Sequence, residues 1–473
     1  MKLYDTKSRE VVEIIPLFPG VLKIYACGPT VYRDAHVGNM RTFLLTDLIK
    51  RFAQYQGLKV ELIQNITDVG HMADDTGLGG IDEGQGDTED RVLAQAKTES
   101  IDALTIARKY EDNFHKDLKL LNIQKATKYP RASESIELMI ELIQQLIKKK
   151  HAYVGKSGTV FFDAKSFPSY GQISGNKLDE LQPGYRFEGK SDPDKKFHAD
   201  WALWKHAGEN RTQLTWETPW GRGYPGWHIE CSAMSIKFLG DKIDIHTGGI
   251  DLRFPHHEDE RAQSNASANT EVVNHWIHGE HLLFEGRKMA KSTGNVVLVS
   301  DLISKHLDPL SLRLCFLENR YRSQMDLSWD SLKAAHLLIQ RWRDKTATWA
   351  KDKSLDKKQA QGFIDEISED FSADLDTPRA LQKLRSIEKA QTLSDGVKYE
   401  IFKCVDDLFG LDLLKPSLGK GELVSDAQSL FDQRQIARNK GDFTESDRLR
   451  ELLLKSGVVV RDSKDGQSWE WLI

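Results

Sequence analysis

The chain has 473 residues, with 39% hydrophobic residues, 29% charged residues and a formal net charge of −5. That length calls for more than one domain, and the composition suits a globular protein with no run apolar enough to span a bilayer. Net acidity argues against non-specific coating of DNA, so a nucleic-acid partner would be held by a local basic patch.

Four scattered cysteines (Cys27, Cys231, Cys315, Cys404) do not form a disulfide pattern. The start, Met1 to Asp5, carries no apolar signal core, so a reducing, cytoplasmic location is expected.

Val21 to Cys27 is rich in Val, Leu, Ile and Tyr, as a buried parallel strand is. Met40 to Tyr55 places Phe43, Leu44, Leu48 and Phe52 at the helical period, and Lys59 to Thr67 returns to strand character. The three form a β-α-β unit. Asp74 to Asp90 is rich in glycine and acid, which suits a surface loop and repels phosphate. A helical pattern runs from Thr98 to Lys150, and His151 to Trp216 mixes short β-like pieces with turns, as an insertion does. Strand character resumes at Lys242 to His246 and at Asn274 to Leu283, with a helix predicted over Phe254 to Ala268. Beyond Ser300 the chain is helical. Leu332, Ala335, Leu338, Ile339, Trp342 and Trp349 mark one face, and Arg341, Arg343, Lys345, Lys351 and Lys353 read as a solvated one. A Gly/Pro/Ser linker near Pro416 leads to a last unit, a helix pair and a β-like end from Val458 to Trp471.

Cys27 ends a strand, Cys231 lies in Trp227-His228-Ile229-Glu230-Cys231, and His256 and Glu260 are four apart on one predicted helix face. This donor set suits zinc. Spacing alone is weak, because no Cys-x-x-Cys is present and an isolated cysteine is more often a small core residue. Gly38 at a helix start would let backbone N–H groups face an anion, with His36 as a further donor. Lys288 and Lys291, in the Gly-flanked loop Glu285 to Asn295, suit a developing pyrophosphate charge. No Walker-type P-loop is present.

His36-Val37-Gly38-Asn39 and, far down the chain, Lys288-Met289-Ala290-Lys291-Ser292 resemble the HIGH and KMSKS signatures of class I aminoacyl-tRNA synthetases. Cys-Gly-Pro-Thr-Val-Tyr, Pro-Gly-Trp-His-Ile-Glu-Cys-Ser, Gly-Gly-Ile-Asp-Leu and Phe-Pro-His-His-Glu-x-Glu look like the cysteinyl branch, in matching order. The resemblance implies an α/β, Rossmann-like catalytic domain with a connective insertion, then an all-α helical bundle and a small C-terminal α/β anticodon-binding domain. The corresponding segments are residues 1–125 and 223–305 for the two catalytic halves and 126–222 for the insertion. Residues 306–415 would form the stem-contact and helical part, and 416–473 the anticodon part.

The implied activity is ATP-dependent conversion of L-cysteine to cysteinyl-adenylate, then transfer to tRNA(Cys), by a monomer with no DNA or membrane partner. The implied zinc ligands, for one Zn2+ per chain, are Cys27, Cys231, His256 and Glu260. The ion would take the substrate thiolate, which serine cannot match. His36, Gly38 and Asn39 fall on the ATP-phosphate motif, and Gly248, Gly249 and Asp251 on the adenosine site. Lys288 and Lys291 fall over the phosphates, where Mg2+ accompanies ATP, and Gly28, Thr67 and Trp227 line the amino-acid pocket. His36, Asn39, Lys288 and Lys291 are the catalytic set.

Three departures stand out. Asn39 replaces the last His of HIGH but keeps a neutral donor. Ala290 replaces the first Ser of KMSKS. After Asn65 to Asp68, Val69 to Asp75 lead into the Gly/acid loop and lack the lysines tied to side activities in the family. Two other readings fit parts of the sequence. A ligase passing cysteine to a small amine, as in the mycothiol pathway, is disfavoured by the unit past Pro416. A degenerate RNA-binding protein, suggested by Asn39 and Ala290, is disfavoured by the four retained metal positions and both lysines.

Overall fold

The computed structural model describes residues 1–72, 90–181, 192–289, 295–417, 425–456, 458–463 and 466–471. A hairpin of β1 (Lys2–Asp5) and β2 (Glu10–Glu13) precedes the central strand β3 (Val21–Ala26). β3 feeds α1 (Val37–Tyr55), which returns the chain to β4 (Lys59–Gln64). β3 and β4 pair in parallel from Val21 with Lys59 to Ala26 with Gln64.

The strand predicted through Thr67 leaves β3 at Gln64, because the chain turns away from β3 at Gly28. Thr67 N–H donates to Pro29 O at 3.1 Å beyond that turn, while the segment around Pro130 lines the other edge of β4: Thr127 N–H donates to Leu62 O at 2.7 Å and Ile66 N–H to Pro130 O at 2.8 Å. A helix α2 (Arg91–Glu99) precedes the helical pattern predicted over 98–150, which that extended stretch divides into α3 (Ala103–Leu120) and α4 (Ile136–Lys148).

An antiparallel sheet follows, in the order β5 (Ala152–Val154), β6 (Val160–Phe162), β7 (Trp201–His206) and β8 (Gly223–Pro225). Phe162 and Trp201 stack in it at 4.4 Å. The chain then re-enters the central sheet through α5 (Trp227–Leu239), β9 (Ile243–Gly249), α6 (His256–Ala268) and β10 (Val273–Gly279). The completed sheet is parallel, in the order β10-β9-β3-β4.

The strand predicted over Asn274–Leu283 is divided into β10 and β11 (Leu282–Phe284), and β12 (Arg287–Lys288) pairs back on β11. Arg41 of α1 explains the break. Its guanidinium donates to the carbonyls of Glu280 and His281 at 2.8 and 2.7 Å, and to those of Arg320 and Ser323 at 3.0 and 2.6 Å.

After α7 (Val299–Ser304) and α8 (Leu310–Leu317), β13 (Met325–Leu327) adds a parallel strand beside β11. This ties the otherwise helical unit to the part of the chain that follows the central sheet. α9 (Trp329–Trp349), α10 (Lys357–Ser372), α11 (Thr377–Lys389) and α12 (Asp395–Phe409) complete it. Three of the predicted solvated charges have ion-pair partners: Arg343 is buried against Asp308 at 2.6 Å, and Arg341 and Lys345 pair with buried Glu388 at 2.9 and 3.0 Å.

The last unit is α13 (Ser425–Asn439), α14 (Phe443–Lys455) and the hairpin β14 (Val458–Ser463) with β15 (Gly466–Trp471). It has its own small core of Ala427, Leu453, Val458 and Val460. Buried Arg434 pairs with Asp462 through both nitrogens at 3.0 Å. No helix among the described residues is long and apolar enough to cross a membrane.

One buried ion cluster fixes α1 to the helical unit. Arg313 donates to Asp47 Oδ2 at 2.6 Å and to Phe409 O at 2.6 Å, while Arg51 donates to the same Asp47 oxygen at 2.8 Å. Burial acts to raise the Asp47 carboxyl, but Arg313 and Arg51 outweigh it and hold the group below its ordinary range. The folded value therefore lies below the unfolded ~3.9. The stabilisation is present at neutral pH and is lost as pH falls through that range. Asp47→Asn leaves buried guanidinium uncompensated and is expected to cost about 3–5 kcal/mol at pH 7, read from urea midpoints. The gap from the unsubstituted protein should narrow below a pH of about 4.

Candidate active site and metal centre

β3 runs through α1 to β4 on one side, and β9 runs through α6 to β10 on the other, so the carboxyl ends of β3 and β9 flank the switch in strand order. Ligands of open α/β sheets bind in that crevice. β3 delivers Cys27 and Gly28 there, and β9 delivers Gly248 and Gly249. Cys27 N–H donates to Thr247 O at 3.1 Å, which joins the two ends. Gly28 N–H donates to Asn65 Oδ1 at 2.8 Å, and a Cβ on Gly28 would sit 1.7 Å from the Asn65 carbonyl oxygen. Only glycine fits.

Helix α5 starts immediately after Gly226 and turns Cys231 toward β3, and α6 starts at His256 with Glu260 one turn on. The ligand atoms of Cys27, Cys231, His256 and Glu260 all lie within 4.8 Å of one another, and all four residues are buried. So the structure brings together the four positions singled out in the sequence. His256 Nε2 is 2.9 Å from Glu260 Oε1, and its Nδ1 is 2.8 Å from His228 Nδ1.

A second set, Cys27, His246, His257 and Glu260, is equally close. His257 Nε2 lies 3.2 Å from Cys27 Sγ and its Nδ1 2.8 Å from His278 Nε2, while His278 Nδ1 reaches Thr6 Oγ1 at 2.7 Å. The sequence reading missed His228, His246, His257 and His278. One signal was available: His246 and Gly248 share a face of β9 by strand alternation.

Burial pushes the Cys27 thiol and the Glu260 carboxyl up, and pushes His246 and His257 well down and His278 down to about 3. The imidazoles are therefore neutral, the state in which they bind metals. Two thiols and a carboxyl converge here with no lysine or arginine paired to Glu260 among the described residues. That donor chemistry fits a dication.

Trp227, at the first turn of α5, is sandwiched between His71 at 4.1 Å and His256 at 4.1 Å. Thr67 Oγ1 donates to Glu230 Oε2 at 3.0 Å, one turn along α5 from Trp227. Burial pushes the Glu230 carboxyl well up.

On the other side of the crevice, His36 caps α1. Asn39 N–H donates to His36 Nδ1 at 3.3 Å, and His36 N–H donates to Asn39 Oδ1 at 3.1 Å, a reciprocal capping box. With Nδ1 accepting, neutral His36 carries its proton on Nε2. Burial, with Arg33 nearby, pushes its imidazole down to about 4. Met289 covers the turn: its Cε is 2.9 Å from where a Cβ on Gly38 would sit, and Val37 N–H donates to Val297 O at 2.9 Å. Asn295 Nδ2 donates to Lys288 O at 3.1 Å and ties the loop's ends. Lys288 is exposed on β12; Ala290, Lys291 and most of the Asp74–Asp90 stretch lie outside the described residues. Beside Gly248, Gly249 has Asp251 Oδ1 only 2.3 Å from where a Cβ would sit.

Residues 13–75 and 84–337 match the family described as tRNA synthetases class I (C) catalytic domain, and 420–469 match the cysteinyl-tRNA ligase anticodon binding domain. A relative named cysteine–tRNA ligase from Thermus thermophilus is 40% identical over 492 residues, covering 99% of this chain and 98% of its own. One of the same name from Treponema denticola is 33% identical over 503 residues, covering 100% of both. A solved Mycobacterium tuberculosis methionyl-tRNA synthetase bound by methionyl-adenylate shares the fold at 15% identity and a TM-score of 0.53, covering 90% of this chain and 96% of that one.

The tight approach at Gly28 gives a direct test of the crevice. Gly28→Ala is expected to lose about 2 kcal/mol or more, because backbone rather than a flexible side chain must yield. A urea midpoint equal to that of the unsubstituted protein would contradict this packing.

Proposed function

The chain belongs to the cysteine–tRNA ligase family of class I tRNA synthetases, and from that premise we propose how its residues share the reaction. The activity is that of the family, the joining of cysteine to tRNA with ATP as a substrate. The carrying observation is the convergence of Cys27, Cys231, His256 and Glu260, from three separate segments, at the switch in strand order.

These four residues would hold zinc, whose mixed sulfur, nitrogen and oxygen ligation their side chains suit. When bound, zinc supplies a borderline-soft centre that favours a substrate thiolate over the hydroxyl of serine. Gly28 lets the chain after Cys27 pack against Asn65 at the edge of the amino-acid pocket, which Trp227 and Thr67 bound.

ATP spans the second half of the crevice. Neutral His36 directs Nε2–H toward its phosphates, Gly38 lets them approach the start of α1, and Asn39 holds His36 in that orientation through the capping box. Gly248 and Gly249 admit the adenosine, with Asp251 beside them. Lys288 and Lys291 neutralise charge developing on pyrophosphate, which departs with Mg2+. No side chain forms a bond to substrate in this scheme; positioning and charge stabilisation lower the barrier to cysteinyl-adenylate.

The helical unit, residues 306–415, would contact the tRNA(Cys) stem, and residues 416–473 its anticodon. The preceding 126–222 insertion separates the catalytic halves 1–125 and 223–305. We assign the protein to the cytoplasm, acting as a monomer.

Cysteine-dependent ATP–pyrophosphate exchange followed by tRNA charging tests the reading, and both are expected. No exchange would contradict it, and exchange without tRNA charging would favour transfer to a small amine. In a second test, Cys231→Ser should lower bound zinc and raise the KM for cysteine at least about 100-fold, with little change for ATP. Full zinc content with unchanged cysteine KM would overturn the ligand assignment.

A further inference from the structure

Asp68, Asp90 and Glu230 are fully buried carboxyl groups close enough for Glu230 to feel the other two. Two of them have cations: Arg108 pairs with Asp68 at 3.0 Å and Arg211 with Asp90 at 2.9 Å. Gly70 N–H also donates to Asp90 at 2.8 Å. Glu230 differs. It has no ion pair among the described residues, its Oε1 has no hydrogen-bond partner, and its Oε2 accepts only from Thr67 Oγ1, at 3.0 Å. A buried carboxyl left in that state is costly, and its position suggests what completes it.

Glu230 immediately precedes Cys231 on α5. Thr67 Oγ1 donates to Glu230 and accepts from Asn65 Nδ2 at 3.0 Å, while Asn65 Oδ1 accepts from the N–H of Gly28 at 2.8 Å. A continuous strap of hydrogen bonds thus runs from the residue after Cys27 to the residue before Cys231. Because the Thr67 hydroxyl donates its one hydrogen bond to Glu230 and accepts one from Asn65, it keeps a single free lone pair and can only accept. The amino nitrogen of a cysteine is two carbons from sulfur, within about 4 Å of it. A thiol held between Cys27 and Cys231 keeps that nitrogen beside the strap.

Resting on the ligase reading and on Thr67 as a wall of the amino-acid pocket, we propose that Glu230 is a positioning residue for the α-ammonium group of the substrate. It orients the Thr67 hydroxyl as an acceptor for the ammonium and offers its unpartnered Oε1 as a further acceptor. Selection for an α-amino thiol over a plain thiol then depends on Glu230, and selection for sulfur does not.

The test uses full-length, zinc-loaded protein with the substitution Glu230→Gln. In cysteine-dependent ATP–pyrophosphate exchange, KM for L-cysteine should rise at least about 30-fold, with a smaller change in kcat. The inhibition constant of 3-mercaptopropionate, which has the thiol and carboxylate but no amino group, should stay the same, as should bound zinc. Thr67→Val should show the same split, so the measurement survives if Glu230→Gln misfolds, and the double variant should be no worse than the weaker single one. An unchanged cysteine KM, or equal weakening of cysteine and 3-mercaptopropionate, would overturn the proposal alone. Absence of cysteine-dependent exchange in the unsubstituted protein would overturn the ligase reading and this proposal with it.

Discussion

The site depends on a short parallel ladder in which Ile24, Tyr25 and Ala26 of β3 pair with Ile245, His246 and Thr247 of β9. Burial on both faces drives the pairing, as Ile24 and Ile245 are wholly buried on one face and Tyr25 on the other. Its consequence is polar. Once the ladder forms, Cys27 must face Cys231 and the α6 residues, and the glycines ending β9 must face the His36 turn. The Asp47–Arg313–Arg51 cluster and the Arg41 guanidinium then fix α1, so the capped turn and the metal quartet are held by one rigid body. Neither half-site could be assembled by local sequence.

Local sequence nonetheless revealed a good deal. The strand at Val21, the helix carrying Phe43 and Leu48, and the α6 pairing of His256 with Glu260 follow from apolar period and the four-residue repeat of a helix. Spacing could not join Cys27 to Cys231, because their contact exists only after β3 and β9 pair; the family blocks supplied that link. Where strand boundaries were misjudged, a distant group had taken the backbone. After Gln64 the segment near Pro130 took Ile66 while Thr67 bonded to Pro29 and Val31, and Arg41 took the carbonyls between β10 and β11. Arg343 reads as a surface charge by helical period, but its partner Asp308 and the carbonyls of Leu411 and Asp412 lie elsewhere in sequence. Glu230 was invisible for the same reason.

Asn39 illustrates how a departure from a signature becomes intelligible in three dimensions. In sequence it is the loss of an imidazole. In the fold its Oδ1 accepts the His36 N–H, while its own N–H fixes His36 Nδ1, so the substitution preserves the orientation of the remaining histidine. Electrostatics divide the crevice in a comparable way. The metal half concentrates buried thiols, neutral imidazoles and carboxyl groups, which favour a cation and a cationic amine. The other half offers a helix start, an imidazole N–H and a lysine on β12, which favour phosphate.

The central claim is that the β3–β9 crevice builds a metal centre which takes the substrate thiol. Zinc K-edge X-ray absorption on the purified protein, without and with saturating cysteine, tests it most directly. Two sulfur ligands with nitrogen and oxygen neighbours should be seen at first, from Cys27, Cys231, His256 and Glu260, and a third sulfur on adding cysteine but not serine. A spectrum with no protein sulfur, or one that cysteine leaves unchanged, would contradict the account.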